Sequence, residues 1–249
     1  MILGRTSASM RPTHLCLIAL LFGTAVMASE IGNQSFQTTI TKTVGLKYSV
    51  CRPDGYNENA DKKWPLILFL HGAGERGDDL SVLRPWGPLG YSQKTPGFGF
   101  IVVAPQCPTG EDWDPDTVIA LLDKVQEDYR VDPDRAYLTG LSMGGIGTWE
   151  TAIAHPGRFA ALAPVCGRGV PLLGYRIYQM PIWVFHGEKD DVIDVCHSRE
   201  MVDALKGMGG ERIKFTVYPE GGHDIWNEVY NNPELYDWFL KYKRGNSSE

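Results

Sequence analysis

A serine lies at the centre of residues 140–144, whose sequence is GLSMG. The apolar run 136–139 precedes it, and a helix-like stretch, 145–155, follows. A serine between a strand and a helix is the sequence form of a nucleophile elbow, in which strained backbone lifts the hydroxyl out of the sheet. The flanking glycines fit so sharp a turn because a side chain there would collide with its neighbours. The pattern predicts Ser142 as the nucleophile of an acyl-transfer reaction.

A base and an acid for that serine are found further along the chain. The loop PEGGHD, residues 219–224, follows the apolar run 213–218 and places His223 after the last predicted strand. A second loop, 186–194, follows the run 182–185 and offers three acids, which are Asp190, Asp191 and Asp194. A carboxylate at this place could orient the imidazole and stabilise its cation. The order Ser, Asp, His is one in which serine triads occur.

A glycine-rich loop, HGAGERG at residues 71–77, follows the apolar run 66–70. Developing negative charge on a carbonyl oxygen needs rigid N–H donors, and glycines let the backbone approach a substrate closely. We therefore expect Ala73 or Gly74 to supply one donor of an oxyanion hole and Met143, directly after the serine, to supply the other. A phosphate loop does not fit because no Gly-Lys-Ser/Thr follows. A plain glycine turn remains the alternative.

The elements that position these residues are apolar runs of strand length with helical patterns between them. Runs without alternation are typical of parallel strands covered on both faces. Helical periodicity recurs in segments 116–129, 198–208 and 232–243, so the sequence predicts an α/β fold with a mostly parallel, doubly wound sheet. Loose alternation over 36–50 predicts an antiparallel hairpin at one edge. The short interval between Val165 and Ile182 predicts that no large lid covers the site. The apolar runs are 66–70, 100–104, 136–139, 159–165, 182–185 and 213–218.

The bulk composition limits the classes of partner. The chain has 249 residues, of which 43% are hydrophobic, and a formal net charge of −6 without a basic patch. Nucleic acid is therefore not expected as a partner. Residues 1–28 combine two early arginines, an apolar run and the small-residue ending Val-Met-Ala, which predicts a signal peptide. An uncut membrane anchor is the alternative. We expect a single domain over 29–249, secreted or periplasmic, with no stable membrane insertion after cleavage.

Five cysteines bear on redox state and metals. Cys16 lies in the predicted signal peptide, and the other four could form two disulfides or stay as free buried thiols. Neither a C-x-x-C spacing nor a histidine cluster is present, so no metal is expected, and the acyl-transfer chemistry above needs no cofactor. The four are Cys51, Cys107, Cys166 and Cys196.

With these pieces identified, the chain resembles the α/β-hydrolases of the dienelactone-hydrolase and prolyl-oligopeptidase-like esterase group. It is most similar to small secreted carboxylesterases of the predicted-peptidase or phospholipase/carboxylesterase type. The family pattern H-G-x-x-D implies that Asp190 is the acid, although Asp194 stands where the family usually has proline. The motifs that carry the resemblance are HGAGERGD at 71–78, APQCP at 104–108 with Trp113, GLSMGGIGTW at 140–149, HGEKD at 186–190 and Gly222-His223.

The resemblance implies ester cleavage more than amide cleavage, since feruloyl esterases and polyhydroxybutyrate depolymerases share this architecture. Aromatic side chains could border the site, and Trp113 and Trp226 are the predicted substrate contacts, whereas Trp149 is expected in the core. A feruloylated or other carbohydrate-linked ester is the first hypothesis for the substrate. The alternatives are a prolyl-oligopeptidase-like peptidase and a noncatalytic carbohydrate- or lipid-binding protein on a hydrolase scaffold. The oligomeric state is left open.

Overall fold

The structure is a computed structural model that describes residues 31–245. The chain divides into two units, Met1–Lys42 and Thr43–Glu249. In the described part of the first unit, residues 31–42 contain neither helix nor strand, and Phe36 and Ile40 are almost fully exposed. The predicted signal peptide, 1–28, lies outside the described residues.

The second unit is built on a seven-stranded sheet of order β1-β3-β2-β4-β5-β6-β7. All neighbouring strands run parallel except β1 and β3, which pair antiparallel. The predicted α/β-hydrolase sheet with an antiparallel N-terminal edge is thus confirmed, and each of the six apolar runs contains or overlaps a strand. The strands are β1 (Lys47–Cys51), β2 (Trp64–Leu70), β3 (Ile101–Gln106), β4 (Val131–Leu141), β5 (Ala161–Val165), β6 (Ile182–Gly187) and β7 (Ile213–Tyr218).

The predicted hairpin over 36–50 is wrong. Only its last part forms a strand, β1, and that strand pairs with β3. The upstream residues 36–45 are exposed throughout. Alternation of side chains favours an extended chain but does not by itself supply a partner strand.

Six helices cover the two faces of the sheet. Side chains of α2, α3 and α4 form one core cluster with Leu66 and Leu68 of β2, whereas α1, α5 and α6 pack with Ile67 and Phe69 on the opposite face. This alternation within one strand is the geometry expected of a doubly wound sheet. The helices are α1 (Gly87–Ser92), α2 (Pro115–Asp128), α3 (Met143–Ala154), α4 (Cys196–Gly207), α5 (Trp226–Tyr230) and α6 (Pro233–Leu240).

The carboxyl ends of the parallel strands bring the predicted site residues to one edge of the sheet. The loop beginning at His71 follows β2, Ser142 follows β4, and the loops with Asp190 and His223 follow β6 and β7. Between β5 and β6 the chain forms only a short 3₁₀ helix, Pro171–Arg176, in agreement with the expected absence of a large lid in this interval. Within residues 31–245, no helix has the length and apolarity needed to cross a membrane.

Candidate active site

Ser142 occupies a strained turn between β4 and α3. Its backbone has φ +53° and ψ −116°, a left-handed conformation that is rare for residues other than glycine. The turn is held because the Ser142 N–H donates to the carbonyl of Val165 over 2.9 Å, and the Ser142 carbonyl accepts from Ile146 N–H. The hydroxyl therefore stands at the apex, as the sequence predicts.

The glycines around Ser142 are required because backbone lies where a side chain would be. A Cβ on Gly140 would come within 2.3 Å of the Gly144 carbonyl oxygen, and a Cβ on Gly144 within 2.0 Å of the Leu70 oxygen. A Cβ added to Gly145 would lie 2.5 Å from the carbonyl oxygen of Val165, at the end of β5. The nucleophile turn thus packs directly on the ends of β2 and β5.

Ser142, His223 and Asp190 form a continuous hydrogen-bonded chain. The Oγ of Ser142 lies 2.8 Å from Nε2 of His223, and Nδ1 of His223 lies 2.8 Å from Oδ2 of Asp190. Because a carboxylate only accepts, Nδ1 carries the imidazole proton and Nε2 is free to accept the serine proton. This tautomer is the one that general-base activation of a serine requires.

Asp190 is held as a carboxylate. Burial by itself would raise its pKa, but hydrogen bonds from His223 and from the backbone N–H groups of Ile193 and Val192 outweigh burial and lower the pKa below its ordinary value. Among the three candidate acids, Asp194 instead accepts from the backbone N–H of Cys196, and Asp191 is exposed.

The predicted oxyanion residues lie at the first residues of two helices. Ala73 and Gly74 begin a 3₁₀ helix, Ala73–Glu75, directly after the β2 loop. Met143 is the first residue of α3, where backbone N–H groups have no carbonyl partner within the helix. These N–H groups are therefore of the kind that can stabilise an anion.

His71 anchors the loop that contains Ala73. The ring is buried, and burial lowers its pKa, so it stays neutral. Its Nε2 accepts from the backbone N–H of Cys107 at 2.9 Å, which leaves the proton on Nδ1, 2.5 Å from the Gly72 carbonyl. The His71 carbonyl accepts in turn from the indole N–H of Trp113. These hydrogen bonds tie the loop after β2 to Cys107 and to Trp113.

The structure places Trp113, one of the two predicted substrate contacts, in the interior behind the loop after β2. The side chain is only 4% exposed, packs on the His71 ring at 4.9 Å and covers Gly147 of the nucleophile helix. Its indole N–H donates to the His71 carbonyl, so Trp113 supports the loop that contains the oxyanion residues.

Trp226 is half-buried beside His223, with ring centroids 5.4 Å apart and planes at 90°. Trp149 is fully buried, as expected.

A cavity of about 600 Å³ runs along α3 away from Ser142. Its floor is formed by Ile146, Trp149, Glu150 and Ile153, which share one helix face because they recur every three or four residues. The opposite wall comes from the segment after β5, including Arg168. Ile146 lies one helical turn after Ser142, and Ser142 itself is not among the residues that line the cavity.

One further cluster could be considered for a metal. Cys166, His186 and Asp190 present ligand-type atoms within 4.8 Å of one another, all buried. Both nitrogens of His186 and both oxygens of Asp190 already have hydrogen-bond partners. The cluster therefore fits a hydrogen-bond network better than a cation.

The four cysteines of the described residues are free thiols, so the structure agrees with the alternative in which they form no disulfide. They are Cys51, Cys107, Cys166 and Cys196.

The comparisons with known proteins agree with this geometry. The family model described as Phospholipase/Carboxylesterase matches residues 114–232. A structure described as a thermostable esterase is 35% identical, with a TM-score of 0.72, and the match covers 80% of this chain and 60% of that one. The Bifunctional acetylxylan esterase/xylanase XynS20E of Neocallimastix patriciarum is 34% identical over 52% of this chain and 20% of its own length. Probable feruloyl esterase C of Aspergillus terreus is 26% identical over 80% of this chain and 75% of its own.

The chain thus has the α/β-hydrolase fold and is similar to carboxylesterases, in agreement with the resemblance carried by its motifs. It spans less than two thirds of the length of XynS20E and of the thermostable esterase.

Proposed function

We propose that the protein is a serine carboxylic-ester hydrolase that acts through an acyl-enzyme on Ser142. The observation that carries the proposal is the hydrogen-bonded chain Ser142–His223–Asp190, with both links at 2.8 Å. Kinship with esterases adds independent support.

The mechanism proceeds in two steps. Nε2 of His223 takes the Ser142 proton as Oγ attacks the ester carbonyl, and the N–H groups of Met143 and of Ala73 or Gly74 hold the resulting oxyanion. His223 then gives its proton to the leaving alcohol, which leaves Ser142 acylated. Water then attacks the acyl-enzyme: His223 takes a proton from the water molecule and passes it to Ser142 Oγ as the acid product leaves. Asp190 balances the imidazolium charge in both steps. Each oxyanion donor contributes about 3 kcal/mol in comparable sites.

The substrate we propose is an ester of a carbohydrate, such as a feruloyl ester. Relatives whose names specify acetylxylan esterase and feruloyl esterase support this class. The cavity along α3 offers space for a bulky group one helical turn from Ser142, and Trp226 offers an aromatic face next to His223.

The location we propose is secreted or periplasmic. The argument for it is the signal-peptide pattern of residues 1–28. A carbohydrate-linked ester outside the cytoplasm would be a consistent substrate.

The test is a panel of p-nitrophenyl acyl esters, methyl ferulate, acetylated sugars and peptide amides, with a fluorophosphonate label. Wild-type protein should hydrolyse esters, and the label should attach at Ser142. Ser142→Ala should lower kcat by about a millionfold, the loss known for a removed serine nucleophile. It should also unfold at the same temperature as wild type. Full activity in Ser142→Ala, or faster turnover of amides than of esters, would overturn the proposal.

The cavity is tested in the same panel. Ile146→Trp should fill the end nearest Ser142, so hydrolysis of bulky esters should fall while p-nitrophenyl acetate is still cleaved. Leu172→Trp, at a position that is 80% exposed and does not line the cavity, is the matched control. Equal effects of Ile146→Trp on large and small esters would show that the substrate lies elsewhere.

A further inference from the structure

Asp190 contacts two imidazoles. Besides His223, the ring of His186 lies with Nε2 3.1 Å from Oδ2 of the same carboxylate, and both side chains are buried. His186 belongs to β6, whereas His223 follows β7, so the two rings approach the carboxylate from neighbouring strands. The triad described above uses only one of them.

The hydrogen bonds of His186 determine where its proton lies. Nε2 is 2.8 Å from the Ile193 carbonyl and 3.1 Å from Asp190 Oδ2, and both are acceptors, so Nε2 carries the proton. Nδ1 lies 2.7 Å from the Oγ of Ser198, a buried hydroxyl at the start of α4, and therefore accepts from it. Burial lowers the pKa of His186, so the ring is neutral and holds this single tautomer.

We propose that Ser198 and His186 act as a positioning pair for Asp190, so that the site is a five-residue chain running Ser198–His186–Asp190–His223–Ser142. The inference rests on the proposed function of Ser142, His223 and Asp190. His186 is a positioning residue because it touches neither substrate nor the reacting atoms.

The pair acts on Asp190 in two ways. Directly, His186 Nε2 lies 3.1 Å from Oδ2, the oxygen that also bonds His223, so the positive end of its N–H takes up part of the carboxylate's charge. Indirectly, it binds the Ile193 carbonyl, while the Ile193 N–H donates to Asp190 Oδ1 and so ties the loop to the carboxylate. Together with the Ile193 N–H, the Val192 N–H and His223 make three hydrogen-bond donors to the two oxygens, and His186 Nε2 is a fourth polar group in contact with Oδ2.

Loss of the Ser198–His186 pair should change the pH dependence of kcat/KM. Without the His186 N–H beside it, Oδ2 keeps more negative charge and stabilises the protonated His223 ring more strongly. The acid limb of the kcat/KM profile should therefore move to higher pH. Other ionisable groups around the carboxylate and His186 are the Cys166 thiol at the end of β5, Asp224 beside His223 and Asp194 before α4. Burial raises the pKa of the Cys166 thiol to about 12, so it stays uncharged across the assay range.

The experiment compares Ser198→Ala, His186→Leu and His186→Gln in the full chain, using p-nitrophenyl acetate from pH 5 to 9. Ser198→Ala should lower kcat/KM by about tenfold, the size expected for one lost hydrogen bond. His186→Leu should lower it further and move the acid limb upward. His186→Gln should bring the limb back because its amide can donate to Oδ2. Ser92→Ala, which removes a helix hydroxyl bonded to the Leu89 carbonyl in α1, is the matched control and should leave the profile unchanged.

A spectroscopic readout covers the case in which His186→Leu fails to fold. In wild-type protein with ¹⁵N-labelled histidine, His186 should give the pattern of a neutral ring protonated on Nε2, and Ser198→Ala should shift its Nδ1 resonance. A ring protonated on Nδ1, or an acid limb unmoved by any of the three variants, would overturn the inference. If wild-type protein hydrolyses no ester, the proposed function fails instead, and the spectrum still tests the pair.

Discussion

Ser142 holds a backbone conformation that costs about 1–3 kcal/mol for a residue with a side chain. The cost is offset locally, because its N–H reaches the Val165 carbonyl and its carbonyl starts the bonding of α3. The strain keeps the hydroxyl 2.8 Å from His223. Reactivity at this scale therefore depends on a single residue being prevented from relaxing.

Asp190 should be the acid on which activity depends. Asp190→Asn should lower kcat by roughly 10,000-fold, because an amide can leave His223 in the wrong tautomer. Steady-state kinetics on p-nitrophenyl acetate measures the loss.

Asp194→Asn and Asp191→Asn are the controls for this prediction. Asn can still accept from the Cys196 N–H, and Asp191 is exposed, so both variants should keep nearly wild-type activity. A large loss in either one, with Asp190→Asn active, would transfer the role of the acid to that residue.

At the scale of elements, the site depends on how closely β2, β4 and α3 approach. Gly140 and Gly144 let the turn lie against the carbonyl ends of its neighbours, while Trp113 and His71 hold the loop after β2. The strands thus set the positions of the reacting groups through the backbone.

Gly144→Ala should disrupt this contact. Its Cβ would lie 2.0 Å from the Leu70 oxygen, which cannot move without shifting β2. We expect the free energy of unfolding to fall by about 3 kcal/mol, the upper range for overpacking, with loss of activity. Urea denaturation measures the change.

Gly207→Ala is the matched control, because nothing lies within 4 Å of a Cβ at that end of α4. It should alter the free energy of unfolding by less than about 1 kcal/mol. Wild-type stability in Gly144→Ala would mean that the turn is not packed as described.

For the whole molecule, two buried neutral histidines make stability depend on pH. His71 and His186 are at most 1% exposed, and burial lowers the pKa of each. In the unfolded chain both return to a pKa of about 6.5. Below that pH the unfolded state binds protons that the folded state does not, so stability is lost as the pH falls.

We expect the free energy of unfolding to decrease below pH 6.5 with a slope of up to about 1.4 kcal/mol per pH unit for each histidine. Urea denaturation at pH 7.5, 6.5 and 5.5 measures it. His186→Gln should reduce the slope, whereas His197→Gln, at a partly exposed position, should not. Constant stability over this range would contradict the prediction.

Sequence reasoning recovered the sheet and the residues that follow its strands, because continuous apolar runs and their order are local signals. The burial of Trp113 could not be predicted because its partner, the His71 carbonyl, lies 42 residues away and no local pattern encodes that contact. The hairpin before β1 failed because alternation alone does not supply a partner strand. The contact of His186 with Asp190 could not be predicted, because it depends on how the loop after β6 folds back.

The contact between Gly144 and the carbonyl of Leu70 has a consequence for how such a protein can diversify. On one side of this contact are main-chain atoms of Leu70, and on the other is the Cα of Gly144, which bears no side chain. The contact therefore joins the turn that bears the nucleophile to the strand that precedes the oxyanion loop. Substitution of core side chains therefore leaves the spacing between attacking atom and anion donors unchanged. If the proposed function holds, exchanging the residues around the cavity and Trp226 should change which ester is accepted without rebuilding the turn that bears Ser142.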